Sequence, residues 1–182
     1  MPLRDRFRDL AMDTQRQVER LFDRWQDGGL SEREFVAAAA AVIARANHRT
    51  VRTADRAMAI QISRTLGRPV DAEPTDIGDD RPKLRDAVTT LLAERPEIAV
   101  TAAVLAESQR RRLGRLSRAE PLRRGQQAVQ GHLKRHELGW QRAVGGDPCP
   151  LCDEWDDGVT RPADVDMARH PNCSCVQRAA RL

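Results

Sequence analysis

Apolar positions recur at helical intervals from the start of the chain. Phe7, Leu10, Thr14, Val18, Leu21 and Trp25 follow one another at steps of three and four, which places them on one face of a helix over roughly residues 4 to 27. Asp27-Gly28-Gly29 then stops it. Ser31 with Glu34 forms a capping box, so a second helix starts there; it runs through Phe35, Val42, Ile43, Ala46, Val51, Ala54, Met58 and Ile62 to Leu66 and closes at Gly67. A helix of that length, rich in alanine, predicts a long helical hairpin over 1–67 or a rod that packs on something else. Residues 68–80 combine two prolines, one glycine and five carboxylates, and read as an acidic linker and the best domain boundary. Beyond it, 81–138 is a helical, arginine-rich region. Pro82 and Pro96 bracket a short helix carrying Leu84, Val88, Leu91 and Leu92, and another helix from about Glu97 carries Ile98, Ala102 and Leu105. Pro121, Gly125 and Gly131 weaken the helical pattern further on. Residues 139–182 form a small module of different character.

Composition sharpens the fold class. With three Phe, three Trp and no Tyr, the core must be built from Ala, Val and Leu, which suits closely packed helices and nearly excludes an all-β fold. A chain of 182 residues is one domain, or a small one with an appendage. The expected architecture is therefore mainly α: long N-terminal helices followed by a small zinc-stapled α+β C-terminal module. No basic, apolar leader follows Met1, and the longest apolar run, Phe35 to Ala44, is about half of what a bilayer requires, so neither export nor a membrane partner is expected.

The net charge of +4 is mild, but its placement is uneven. Lys83 and Lys134 are the only lysines, and between Arg110 and Arg142 ten basic residues face Glu120 and Glu137 alone. Arg110, Arg111, Arg112, Arg115, Arg118, Arg123 and Arg124 are candidate nucleic-acid contacts, able to neutralise phosphates of double-stranded DNA without reading sequence. The competing reading is a solvated helical face, or one complementary to an acidic partner. Residues 110–139 contain no aromatic residue on which single-stranded bases would stack. His132 and His136 share a helix face, yet beside Lys134 and Arg135 they are expected at the surface.

The four cysteines are confined to the tail. Cys149 and Cys152 stand on a Cys-x-x-Cys turn that follows a short strand entered at Gly139-Trp140; His170, Cys173 and Cys175 come after seventeen intervening residues. Clustering of this kind does not resemble a disulfide framework spread over a fold. Zinc takes four such ligands tetrahedrally, and five candidates compete for the four places: Cys149, Cys152 and His170 first, with the choice between Cys173 and Cys175 open. A thioredoxin-like redox pair is the rival, but no βαβ pattern accompanies it. A single Zn2+ with every position filled by protein is structural, holding together about forty residues whose apolar content is too small for a core of their own. Asp153 to Asp157 lacks the spacing of a calcium loop, and Asp156-Asp157-Gly158 fits a reverse turn. Phosphate-binding, dinucleotide, zinc-protease and serine-elbow motifs are missing, so no enzyme and no small-molecule substrate are expected.

Gly139-Trp140-Gln141-Arg142, then Asp147-Pro148-Cys149-Pro150-Leu151-Cys152, then His170-Pro171-Asn172-Cys173-Ser174-Cys175 resembles the C-terminal module of phage Mu F-like minor head proteins. The resemblance covers residues 139–176; the preceding part is similar only in being helical. Members often carry an aromatic, small-residue segment after the first cysteine pair, where this chain has Asp153-Glu154-Trp155-Asp156-Asp157-Gly158. The resemblance implies a minor capsid, head-morphogenesis protein of a tailed phage or prophage, in the host cytoplasm during assembly and then in the virion near the portal. Its partners would be portal or major capsid protein and packaged DNA. A zinc-stapled DNA-binding regulatory protein is the alternative.

Overall fold

The computed structural model describes residues 1–93, 101–144, 148–170 and 173–182. Its elements are α1 (Leu3–Gln26), α2 (Glu32–Leu66), α3 (Arg81–Ala93), α4 (Ala102–Arg135), β1 (Gly139–Ala143), α5 (Pro150–Glu154) and β2 (Val176–Ala180). The protein is mainly α, with long N-terminal helices and a small C-terminal module built on a two-stranded sheet. No helix among the described residues is long and apolar enough to cross a membrane.

The first two helices follow the sequence pattern closely. The Ser31 hydroxyl accepts from the Glu34 N–H, and the Ser31 N–H donates to the Glu34 carboxylate at 2.8 Å, closing the reciprocal cap at the start of α2. Gly67, at φ 71°, ends it in the left-handed conformation that glycine adopts without steric cost. In α1 the buried stripe is Phe7, Ala11, Thr14, Val18 and Phe22, while Leu10, Leu21 and Trp25 are half-buried. The fully buried line is shifted from the expected one to include Ala11 and Phe22, because α1 packs against both α2 and α4.

The largest departure is α4, which runs unbroken through Pro121, Gly125 and Gly131. Thr101 caps it by accepting from the Val104 N–H; the expected start at Glu97, with Ile98 and Pro96, lies outside the described residues. Gly125 is a site of close approach: a Cβ there would come within 2.6 Å of the Thr50 methyl and 2.7 Å of the Phe7 ring. Residues that weaken an isolated helix thus let α1, α2 and α4 meet in one bundle, with α3 laid against α2 and α4. Gly125→Val is accordingly expected to overpack this junction and cost about 1–3 kcal/mol, read by urea denaturation with an unchanged m-value.

Segment 68–80 runs against α2. The Val70 N–H donates to Ser63, the Thr75 N–H and hydroxyl both donate to the Asp55 carboxylate, and the Asn47 amide donates to Asp80 at 2.6 Å. His132, expected at the surface, is instead 2% exposed on the inner side of α4, its Nε2 lying 2.8 Å from Asp55 Oδ1. The Arg135 guanidinium lies 3.0 Å from Nδ1 and can only donate, so Nδ1 is the acceptor and Nε2 carries the hydrogen given to Asp55. A histidine beside basic residues is drawn inward here because α2 offers it a buried carboxylate. His136 is half-buried at the end of α4.

Two apolar clusters fill the bundle. One gathers Val18, Phe22, Phe35, Ile43, Leu84, Val88 and Leu113. The other starts at Phe7, Val51, Met58 and Leu122 and continues without a break into Trp140, Met167, Cys152, Cys173 and Val176. The module therefore shares its core with one end of the bundle.

Candidate metal centre

Strands β1 and β2 pair antiparallel, from Gly139 opposite Ala180 to Ala143 opposite Val176. The pairing fixes where the thiols lie: one cysteine pair follows the end of β1 and the other immediately precedes β2, so both fall at the same end of the sheet. Cys149 is the N-cap of α5 and Pro150 occupies its first turn; the Cys149 sulfur accepts from the Cys152 N–H at 3.4 Å. One helical turn thus aims both sulfurs of the Cys-x-x-Cys to one side. The pair does open a helix, as redox pairs do, yet the two strands flanking it are antiparallel neighbours rather than arms of a βαβ unit.

His170 Nε2 lies 3.1 Å from both Cys149 Sγ and Cys152 Sγ, and Cys152 Sγ lies 3.6 Å from Cys173 Sγ. The ligand atoms of Cys149, Cys152 and His170 lie mutually within 4.8 Å, as do those of Cys152, Cys173 and Cys175. Around a tetrahedral zinc, sulfur–sulfur edges are about 3.8 Å and sulfur–nitrogen edges about 3.5 Å. The observed separations fall near those edges, so the cluster is able to hold a metal ion, with Cys152 belonging to both triads. All four cysteines are free thiols.

The thiols differ in character. The Cys152 N–H lowers the pKa of Cys149, assisted by the neighbouring His170. Burial pushes Cys152 up to about 11. A hydrogen bond from the Cys175 thiol holds Cys173 down at about 5, and Cys175 is raised because it donates that bond and is buried. Cys152 consequently keeps its proton through the neutral range, and metal binding must expel it. Apparent zinc affinity is expected to fall about tenfold per unit as pH drops from about 8 to about 6 on account of this thiol alone, measured by competition with a chelating dye. A pH-independent affinity would contradict this assignment.

Side chains of the bundle hold the ligand-bearing segments. Gln126 on α4 donates to the carbonyls of Cys173 and Cys175 at 3.0 and 2.7 Å, and Gln130 donates to the Ala163 carbonyl and the Asp166 carboxylate. Asp157 accepts from the Val159 N–H ahead of Gly158, whose φ of 69° turns the chain between the two ligand groups; its pairing with Arg161 keeps its pKa well below the usual carboxylate range. The helix amides Gln126 and Gln130 were not legible as supports, since nothing in sequence tells a glutamine facing a carbonyl from one facing water.

The arginine stretch is largely neutralised. Arg110 pairs with Asp23, Arg111 with Glu107, Arg123 with Glu120, and Arg124 lies 3.5 Å from the buried carboxylate of Asp80. Arg115 is exposed, whereas Arg112 and Arg118 are half-buried. Comparison with protein-family models, with curated proteins and with solved structures finds no match for this chain. Fold and site together define a mainly helical protein carrying a small C-terminal Cys/His module able to hold a metal ion.

Proposed function

We propose that this protein is a minor head protein of a tailed phage or prophage, non-enzymatic, in which one structural zinc ion staples the C-terminal module to the end of a helical bundle. The observation that carries the reading is the gathering of Cys149, Cys152 and His170, and of Cys152, Cys173 and Cys175, into two triads that share Cys152, inside the motif that resembles the Mu F-like module. Four protein ligands leave no position for a reactive water, which favours a structural over a catalytic ion. In this reading Cys175 is the supporting thiol that donates to Cys173. The module presents its face to the portal or the major capsid protein, and exposed Arg115 makes at most a non-specific contact with packaged DNA. A sequence-reading DNA regulator is disfavoured, because α4 packs against both α1 and α2 and several of its arginines are engaged by carboxylates. Elemental analysis of the reduced protein is expected to return one zinc per chain, and co-purification with the portal protein tests the assembly role. Absence from both portal complexes and purified virions would refute that role.

A further inference from the structure

The Gly-Trp-x-Arg lead-in contains a buried arginine that ligates nothing. Arg142 is 5% exposed, and its Nη2 donates to the Ala168 carbonyl at 2.6 Å, two residues before His170. The same guanidinium covers the ring of Trp155 at 5.2 Å, three residues after Cys152. Trp155 in turn flanks the His170 imidazole, with ring centroids 6.5 Å apart. One planar cation on β1 therefore grips both segments that supply ligands: the end of α5, which carries the Cys-x-x-Cys pair, and the irregular stretch that delivers the histidine. That stretch has no secondary structure to orient it. It is also tied elsewhere: the Trp140 indole donates to the carbonyls of Pro162 and Val165, and Arg169, next to the histidine, donates to Gln126 at 3.3 Å.

We infer that Arg142 is a positioning residue of the metal centre, acting through Trp155 and the Ala168 carbonyl to hold His170 against the Cys149–Cys152 turn. The inference rests on the metal reading above and adds a role for a residue outside the ligand set. A flat guanidinium can stack on an indole and donate in its own plane at once, which a lysine ammonium cannot, so Arg142→Lys is expected to behave as a loss. Outer groups that orient metal ligands typically govern affinity by roughly 10- to 100-fold.

The test uses full-length protein, with zinc affinity read by chelator competition and ligand identity read from the visible spectrum of the cobalt-substituted form. Arg142→Leu is expected to weaken zinc binding by roughly 10- to 100-fold and to move the cobalt bands toward those of His170→Ala. Trp155→Leu, which removes the intermediary, should do the same. Arg178→Leu, at an exposed position of β2 where the arginine donates to Gln141, should change neither. Because the proposed action passes through His170, Arg142→Leu should cost little further affinity in a His170→Ala background. Additive losses there, or an unchanged cobalt spectrum in folded Arg142→Leu, would overturn the inference while leaving the metal centre standing. A wild-type protein that binds neither zinc nor cobalt would remove the metal reading itself and this inference with it.

Discussion

Cys152→Ser is expected to reduce bound zinc from one ion per chain to essentially none and to unfold the tail of the protein. Cys152 is the thiol common to both ligand triads, so its loss leaves neither triad complete. Structural zinc contributes binding free energy directly to folding, on the order of 10 kcal/mol in small zinc modules, and the loss is correspondingly large. Its reach is set by the core. Cys152 and Cys173 pack in the cluster that includes Met58, Leu122 and Val129, so the adjoining end of α2 and α4 loosens with the module. The separate cluster around Phe22, Phe35, Ile43 and Leu113 keeps its contacts. Hydrogen exchange should therefore show protection lost over 139–180 and reduced near Met58, yet retained over 35–44. Uniform loss along the chain, or full zinc content, would contradict this partition.

Asp55→Ala is expected to destabilise the bundle by about 3–5 kcal/mol, since it leaves several buried donors unpaired at about 1–3 kcal/mol each. The Asp55 carboxylate accepts from His132, from the Thr75 N–H and from the Thr75 hydroxyl. Its removal strands three donors at the junction of α2, α4 and segment 68–80, and a buried donor without an acceptor carries its desolvation cost unrecovered. Arg135, which reaches both His132 and Glu73, loses its anchor as well. Urea denaturation measures the loss. Proteolysis near residues 70–80 supplies an independent readout, since this segment is fastened to α2 by that carboxylate. A change below about 1 kcal/mol would show that water satisfies these donors as well as Asp55 does.

Local information was sufficient where a residue's role depends on its near neighbours in the chain. The capping box at Ser31 and Glu34, the stop at Gly67, the short strand at Gly139 and the Cys-x-x-Cys turn are such cases. The Arg110–Arg124 stretch fared differently. Its run of positive charge is a property of the sequence, but the carboxylates that neutralise it come from Asp23, Glu107, Glu120 and Asp80, two of them far away in the chain. Arg142 likewise offered no sign of being buried among strand residues.

By itself the sequence determined the helical character of the protein, the limits of its first two helices and the identity of the five thiol and imidazole groups, because periodicity, capping and ligand spacing are encoded within a few residues. Only the tertiary structure decided that α4 is one helix passing Pro121 and Gly125, that His132 is buried against Asp55, and that the module shares a core with the bundle. These outcomes depend on how closely backbones can approach and on which distant group answers a buried donor, and both are settled when the helices pack.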